Sequence, residues 1–248
     1  MNTDFRVHIV PVGFDDTRVS ESLIKGKADR VYFIRFKDDK EGKHKKYFEF
    51  IKNELNSKLP GCEKIEKFGN LWDLYECIKL IREIIFEEKK LGNHIYVNVS
   101  SGSKSTAIAG MLACMSWQAT PYYVRLNYSK AKASKSLQKL PVAGIDDLPR
   151  YNIIKPNSEH LVVLNLLKMG KKTKAELIDA LDGKIIKQKG PLKENSNDLS
   201  IHAKHGQLRT ILEPMEKNYG YIQIDKHGRK SDVTITPQGR RTLEIFGR

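Results

Sequence analysis

Small and hydroxyl-bearing side chains are concentrated between two apolar segments of the chain, Ile95–Val99 and Ala107–Met115. This order predicts a strand, a tight turn and a helix. The first N–H groups of a helix have no intrahelical partner and lie at the positive end of the helix dipole, so an anion binds well there. The candidate anion-binding residues are Asn98, Ser100, Ser101, Gly102, Ser103, Lys104, Ser105 and Thr106.

The segment is not a P-loop. That motif needs a glycine directly before the lysine, where Ser103 stands, and another glycine five residues earlier, at the place of Asn98. The sequence also contains no G-x-G-x-x-G segment. The alternative interpretation is therefore a serine-rich N-cap on a buried helix, with no ligand.

A second polar turn follows the apolar segment Val7–Val12, and its candidate ligand-binding residues are Gly13, Phe14, Asp15 and Arg18. Arg18 offers a bidentate contact to a phosphate, and Phe14 offers a ring on which a base stacks. Structural alternatives exist for both side chains. Arg18 would instead pair with Asp15 or Asp16, and Phe14 would cover the edge of a sheet.

The elements that carry these turns alternate along residues 1–150. Strands are predicted at 7–13, 30–36, 62–68, 95–99 and 121–126, and helices between them at 19–25, 47–55, 70–92 and 103–116. The second helix is expected to bury Tyr47, Phe50, Ile51 and Leu55, and Asn70 is expected to cap the third. This repetition predicts an α/β fold with a Rossmann-like, mostly parallel sheet. Because ligands bind beyond the carboxyl ends of such strands, we expect the two turns to line one crevice.

Residues 127–157 break this pattern and leave room for one more strand. We therefore divide the chain into a Rossmann-like ligand-binding domain, residues 1–150, and a second domain, residues 151–248. The second domain has three predicted helices followed by a β-hairpin with a basic tip, which is the order of a winged helix-turn-helix. A capping box, Thr173-Lys-Ala-Glu176, begins its second helix.

The third helix of this domain begins at Ser200, and its apolar residues Ile201, Leu208, Ile211, Leu212 and Met215 are expected to face inward. The outward face carries small residues and hydrogen-bonding side chains, which suits a DNA major groove. His205 is expected to be a packing residue. The candidate DNA-binding residues are Ser200, His202, Ala203, Arg209 and Thr210 on the helix, and Lys226, Arg229 and Lys230 on the wing.

Composition narrows the function classes. Lys and Arg number 44 against 30 Asp and Glu, so the net charge of +14 favours polyanionic partners. The three cysteines form no C-x-x-C pair, so neither a disulfide framework nor a zinc site is predicted. The first residues do not show the pattern of a signal peptide, so none is expected, and no apolar run is long enough to span a bilayer. We expect a cytoplasmic protein without a membrane contact, a metal or a cofactor.

Both turns and the C-terminal winged helix together resemble the CRISPR-associated Rossmann-fold (CARF) family and its winged-helix regulators. In that family the first loop ends in Arg-Val, matched by Arg18-Val19, and the second turn matches from Asn98 with one extra serine. The resemblance implies a homodimer whose two crevices meet at the two-fold axis and bind a cyclic oligoadenylate, with the tetramer as the expected ring. It also implies that the paired winged helices bind double-stranded DNA.

The resulting hypothesis is a ligand-responsive transcriptional regulator. One alternative is a slow ring nuclease, in which the ribose 2′-hydroxyl attacks its own phosphate while Lys104 or Ser101 stabilises the developing charge. No catalytic residue is assigned, because no obvious general base lies in either turn. A second alternative is a nucleotide-sensing adapter whose winged helix binds protein.

Overall fold

The computed structural model describes residues 4–14, 16–39, 42, 44–127, 140–151, 153, 155–186, 200–227 and 230–247. The chain forms two compact units, Met1–Ile154 and Lys155–Arg248. We call them the N-terminal unit and the C-terminal unit.

The N-terminal unit is a six-stranded sheet with helices on both faces. Its strands are β1 (Arg6–Pro11), β2 (Arg30–Phe36), β3 (Glu63–Gly69), β4 (His94–Asn98), β5 (Thr120–Leu126) and β6 (Val142–Asp147), and its helices are α1 (Thr17–Lys25), α2 (Lys45–Lys58), α3 (Leu74–Lys90) and α4 (Lys104–Trp117). The strand order is β3-β2-β1-β4-β5-β6. All neighbouring pairs are parallel except β5 and β6. The predicted mostly parallel, Rossmann-like sheet is confirmed.

The direction of winding reverses beside β1. The chain builds β2 and β3 on one side of β1, then returns to place β4, β5 and β6 on the other side. At such a reversal the loops after the two central strands leave the sheet in opposite directions, and a crevice opens between them. The turns after β1 and β4 therefore lie at the position where open α/β sheets bind ligands.

Packing beneath the sheet departs from the predicted pattern in α2. Phe48, Ile51 and Leu55 are buried, and the ring of Phe48 meets that of Phe33 edge to face, with centroids 5.3 Å apart. Phe50 is 43% exposed, so its predicted inward position is wrong. The buried residues follow the i, i+3, i+7 spacing of one helical face, which Phe50 does not share.

The start of α3 also differs from the prediction. Asp73 is the N-cap, because its Oδ1 accepts hydrogen bonds from the N–H groups of Tyr75 (2.8 Å) and Glu76 (3.0 Å). Asn70 instead accepts a hydrogen bond from the N–H of Trp72 at 3.1 Å and forms a turn before the helix. Both side chain types are suited to capping, and Asp73 takes the position because it directly precedes Leu74, the first residue of α3.

The C-terminal unit is a winged helix, as predicted. Its elements are α5 (Ser158–Leu167), β7 (Lys172–Thr173), α6 (Lys174–Leu181), α7 (Ile201–Lys217), β8 (Ile222–His227), β9 (Lys230–Ile235) and α8 (Pro237–Phe246), and its sheet order is β7-β9-β8. The capping box is confirmed: Thr173 Oγ1 accepts from the N–H of Glu176 at 3.2 Å, and Glu176 Oε2 accepts from the N–H of Thr173 at 2.7 Å. Leu208, Leu212 and Met215 of α7 pack into one buried cluster with residues of α5, α6 and the hairpin.

None of the helices in the described ranges is long and apolar enough to cross a membrane. Within the same ranges, no group of three or more His, Cys, Asp or Glu side chains could hold a metal ion.

Candidate functional site

The turns after β1 and β4 contact each other directly. Ser101 Oγ donates a hydrogen bond to the carbonyl of Pro11 at 2.9 Å, and Arg18 Nη1 donates to the carbonyl of Ser100 at 2.6 Å. A Cβ added to Gly13 would lie 2.9 Å from the Cα of Gly102, so the two backbones pass without room for a side chain. The structure therefore brings the two predicted ligand-binding turns together in one crevice.

Gly102 is required by the backbone as well as by this contact. Its φ is +81°, in the left-handed region that favours glycine. An added Cβ would lie 2.5 Å from Thr106 Oγ1 and 2.9 Å from the Cβ of Pro11. Because Gly102 has no side chain, the second turn can pack directly against the end of β1.

Three of the predicted binding residues build the turn from inside. Asn98, Ser101 and Thr106 are at most 1% exposed. Asn98 Oδ1 accepts hydrogen bonds from the N–H of Ser100 (2.9 Å), from its hydroxyl (2.6 Å) and from the N–H of Ser101 (3.2 Å). These side chains therefore fix the shape of the turn, and Phe14, Gly102 and Lys104 are the exposed members of the predicted set.

The N-terminus of α4 is capped without a carboxylate. Ser103 Oγ accepts from the N–H of Thr106 at 3.2 Å, and Thr106 Oγ1 accepts from the N–H of Ser103 at 2.8 Å. By contrast, α1 and α3 begin at aspartate caps, and the capping box of α6 uses Glu176. The first turn of α4 holds no acidic residue, so no side chain there offsets the positive end of the helix dipole.

Donors at this end of α4 are available to a ligand. The backbone N–H groups of Gly102, Lys104 and Ser105 have no acceptor among the described residues, and the Lys104 ammonium has no ion-pair partner among them. The Ser103 hydroxyl, by contrast, donates to the carbonyl of Leu71 at 3.3 Å and is already engaged. The arrangement can bind an anionic group through backbone N–H groups and one lysine.

Arg18 and Asp16 have structural contacts. Asp16 Oδ1 accepts from the N–H of Thr17 at 2.6 Å and caps α1, and Arg18 holds the second turn through the Ser100 carbonyl. The predicted residue Asp15 lies outside the described residues.

Beside the two turns lies a cleft of about 640 Å³. Its lining comes from the ends of β1 and β2, from the segment before α2, from the loop after β3 and from the turn before α4: Val12, Gly13, Phe14, Phe36, Asp38, Asp39, His44, Leu71, Trp72, Gly102 and Ser103. Gly13, Gly102 and Ser103 belong to both the crevice and this cleft. An anionic group at α4 would therefore be next to a mainly apolar space.

Aromatic rings form much of that space. Phe14 is 47% exposed and its ring centroid lies 4.4 Å from that of His44, while Trp72 is 70% exposed and meets Phe36 at 6.2 Å. Phe14 covers no edge of the sheet, because β1 is a central strand. Its ring is accessible from the cleft, and base stacking on it stays a prediction.

Sequence reasoning missed the residues that the second and third strands contribute to this cleft. Asp38 and Asp39 follow β2, and Leu71 and Trp72 follow β3. These loops leave the same edge of the sheet as the two predicted turns. The rule that ligands bind at the carboxyl ends of parallel strands would have indicated them.

A central strand of the sheet carries a buried imidazole. His8 of β1 is 5% exposed, and its Nδ1 lies 3.2 Å from the hydroxyl of Tyr122. Burial, reinforced by the nearby Arg6 charge, lowers the pKa of His8 to about 4. The side chain is therefore neutral near pH 7.

In the C-terminal unit, the predicted helix face is largely exposed. His202, Arg209 and Thr210 are exposed, Ala203 is half-buried, and Ser200 caps α7 by accepting from the N–H of Ala203 at 3.3 Å. On the wing, Lys226 is exposed near the end of β8, and Lys230 begins β9 in register with His227. Arg229 lies outside the described residues.

Two predictions about α7 are wrong. Ile201 is 73% exposed instead of facing inward, because the buried cluster begins two turns later at Leu208. His205 is exposed instead of packed. Lys204 takes the packed position: its side chain is 11% exposed and its Nζ lies 2.6 Å from Asp182 Oδ2.

The fold and the site define a Rossmann-like domain with a crevice at its switch point, joined to a winged helix. Residues 6–128 match the family model described as HFX_2341_N-like, N-terminal, and residues 159–247 match the DUF6293 C-terminal winged helix domain. The two units of the chain are thus each similar to a described domain family, the first over residues 6–128 and the second over residues 159–247.

Similarity to individual proteins is lower. Uncharacterized protein MJ1513 of Methanocaldococcus jannaschii is 28% identical over 187 residues, which cover 65% of this chain and 55% of that protein. Csm6 of Enterococcus italicus, bound to cyclic hexa-2′-fluoro-hexa-dAMP, is 11% identical with a TM-score of 0.46, over 87% of this chain and 56% of that one. Can2 of Sulfobacillus thermosulfidooxidans, in complex with cyclic tetra-adenylate, is 13% identical with a TM-score of 0.42, over 98% of this chain and 64% of that one. The chain therefore spans between about half and two thirds of the length of these proteins.

Proposed function

We propose that this protein is a ligand-responsive transcriptional regulator. In this proposal a homodimer binds a cyclic oligoadenylate, with cyclic tetra-adenylate as the expected ring, and the winged helices bind double-stranded DNA. One observation carries the proposal: the N-terminus of α4, capped without a carboxylate, opens directly onto an aromatic cleft. The resemblance of both turns to the CARF family supports the choice of ligand.

The phosphate-binding part of the proposal rests on α4. The N–H groups of Gly102, Lys104 and Ser105 are unpaired among the described residues, and Lys104 adds a charge at the first helical position. A phosphodiester placed there meets backbone donors, a lysine and the helix dipole together. The buried contacts of Asn98 and Ser101 hold these donors in place before the ligand arrives.

The nucleoside part of the proposal rests on the cleft. A space of about 640 Å³ is within the range of small-molecule sites. Phe14 and Trp72 present exposed rings for base stacking, and the carboxylates of Asp38 and Asp39 accept hydrogen bonds from an exocyclic amino group. In this arrangement the phosphate binds at the basic crevice, and the adenine binds in the cleft that carries the two carboxylates.

The outer face of α4 supports the homodimer. Ile108 is 53% exposed, and Met111, Leu112 and Met115 are half-buried on the same outward side of the helix. A helix that is apolar on all sides is expected to be buried on all sides. Lys104 lies one turn before Ile108, so a symmetric contact through this face would bring two crevices towards one two-fold axis.

The DNA-binding part of the proposal rests on the winged helix fold and on charge. Exposed His202, Arg209 and Thr210 follow one side of α7, and the net charge of the whole chain is +14. Many winged helices bind other proteins, so the adapter function is the alternative for this unit.

The ring-nuclease alternative is weakened by the geometry of the turn. The Ser101 hydroxyl is 1% exposed and donates to the Pro11 carbonyl, so it is not placed to stabilise charge on a ligand. Lys104 remains available for that role. We therefore expect cleavage, where it occurs, to be slow.

Isothermal titration calorimetry with cyclic tri-, tetra- and hexa-adenylate and with linear tetra-adenylate tests the ligand. We expect the cyclic tetramer to bind and its linear form to bind more weakly. Mobility shifts with and without the bound ring test the coupling to DNA. Absence of binding to any cyclic oligoadenylate would refute the sensor, and ligand binding without any DNA binding would favour the adapter.

A further inference from the structure

A groove of about 460 Å³ runs between α7 and β8 in the C-terminal unit. Leu208 and Leu212, each 1% exposed, form its floor. Its other lining residues are Lys174, His205, Arg209, Glu213, Glu216, Lys217, Ile224 and Lys226. His205 is exposed, and its side chain lines the groove instead of packing against the core.

The charged groups in the groove divide into two sets. Glu213 pairs with Arg209 at 3.4 Å and with Lys217 at 2.5 Å, and Glu216 Oε1 accepts from the N–H of Ile224 at 3.0 Å. Lys174, His205 and Lys226 make no hydrogen bond or ion pair with any residue that the structure describes. The carboxylates are therefore already engaged, whereas three hydrogen-bond donors are available.

The available donors lie towards the N-terminal half of α7. His205 precedes Glu213 by eight residues, which is about 12 Å along a helix. The chain reverses after α7, and the Glu216–Ile224 contact shows that β8 runs back along the helix. Lys226, two residues past Ile224, therefore lies towards the N-terminal half of α7, and Lys174 lines the same groove from the start of α6.

Gly206 supplies a second, independent observation on this surface. Glycine in a helix interior destabilises the helix by about 1 kcal/mol relative to alanine. Yet an added Cβ at Gly206 would meet no heavy atom within 4 Å, so nothing within the described fold requires a glycine there. A partner that approaches the α7 backbone closely beside His205 would explain it.

We propose that Lys174, His205, Gly206 and Lys226 form a DNA-contacting surface in which His205 contacts a base edge and the two lysines contact phosphates. The proposal rests on the proposed function, because it assumes that the winged helix binds DNA. The imidazole can donate to guanine O6 or N7, or accept from an exocyclic amine, so it can discriminate between base pairs. Lysine contacts to phosphate carry no sequence information and act through counterion release.

The test is selection from a random-sequence duplex library with the full-length protein, followed by salt titration on the selected duplex. His205→Ala is expected to lose at least about fivefold discrimination at one position of each half-site. Lys174→Ala and Lys226→Ala are expected to keep the selected motif and each to reduce the slope of log affinity against log salt by about 0.9. Lys168→Ala, an exposed lysine of the same unit outside the groove, is the control and should change neither quantity.

Gly206→Ala distinguishes an effect on DNA contact from an effect on the stability of the fold. It should raise the thermal midpoint, because alanine favours the helix, and yet weaken binding to the selected duplex. An unchanged motif in His205→Ala together with unchanged affinity in Gly206→Ala would overturn this assignment while leaving DNA binding intact. Failure of the unsubstituted protein to bind any duplex would overturn both this assignment and the DNA-binding part of the proposed function.

Discussion

The close contact between the two turns makes Gly102→Ala a quantitative test of the crevice. The φ of +81° strains any L side chain by about 1–2 kcal/mol. The added methyl group would lie 2.5 Å from Thr106 Oγ1 and 2.9 Å from the Cβ of Pro11, and overpacking of this kind costs about 1–3 kcal/mol. We therefore expect the free energy of unfolding of the N-terminal unit to fall by about 2–5 kcal/mol.

Gly92 provides a matched control within the same unit. Its φ is +80°, but an added Cβ would meet only Asp4 Oδ1 at 3.7 Å, an ordinary van der Waals distance. Gly92→Ala should therefore lose only the backbone term of about 1–2 kcal/mol. The difference between the two variants isolates the contact between the turns.

Urea unfolding followed by tryptophan fluorescence is the appropriate assay. The chain has two tryptophans, Trp72 and Trp117, and both lie in the N-terminal unit, so their emission follows that unit. Equal losses in Gly102→Ala and Gly92→Ala would show that the second turn relaxes away from Pro11 at no cost. The reasoning that treats the crevice as preformed would then be wrong.

Four further predictions concern the ligand, turnover, the dimer and pH. Lys104→Ala should weaken cyclic tetra-adenylate binding by about 1–3 kcal/mol in calorimetry, and the exposed-lysine control Lys79→Ala should not; equal affinities would remove Lys104 from the site. Substoichiometric protein should leave most cyclic tetra-adenylate intact overnight by chromatography, whereas rapid multiple turnover would favour the nuclease. Ile108→Asp should convert a dimer into a monomer in sedimentation, and an unchanged mass would place the interface elsewhere. His8 has a pKa lowered from 6.5 to about 4 in the folded protein, so the unfolded chain takes up a proton first as pH falls. The tryptophan-monitored free energy of unfolding should therefore drop by about 2 kcal/mol between pH 7 and pH 5, and His8→Gln should lose this contribution.

Short stretches of sequence were sufficient to predict the fold of the N-terminal unit. Apolar segments bounded by glycine and polar residues predicted each strand from β1 to β5 to within about two residues. The capping box at Thr173 could be identified from the residue types at positions 173–176 alone. The crevice followed from the same information, because a parallel sheet brings the carboxyl ends of β1 and β4 together. The rule required only the order of strands and helices.

The sequence could not predict the outcome where two nearby residues were equally suited to the same structural position. Asn70 and Asp73 are both residue types that favour the N-cap position, and residue type alone did not show that the helix begins after Asp73. Lys204 and His205 are neighbours, and periodicity alone did not show that Lys204 reaches Asp182 while His205 remains exposed. The aromatic cleft combines loops after four strands, and the two loops that the sequence did not indicate, after β2 and β3, contain no recognisable motif.

The uncharged cap and the apolar outer face of α4 have one physical explanation in the proposed dimer. A carboxylate in the first turn would stabilise α4 by about 0.3–1 kcal/mol, as in α6, but it would repel a phosphate at the same place. Exposed Ile108 likewise gains nothing until a second copy covers it. A ring of phosphates that contacts both α4 N-termini would add attraction across the two-fold axis only in the dimer. By linkage, such a ligand strengthens dimerisation by the same factor by which dimerisation strengthens ligand binding. The cap without a carboxylate and the exposed apolar face are each unfavourable in the isolated chain, and in the proposed ligand-bound dimer both become favourable.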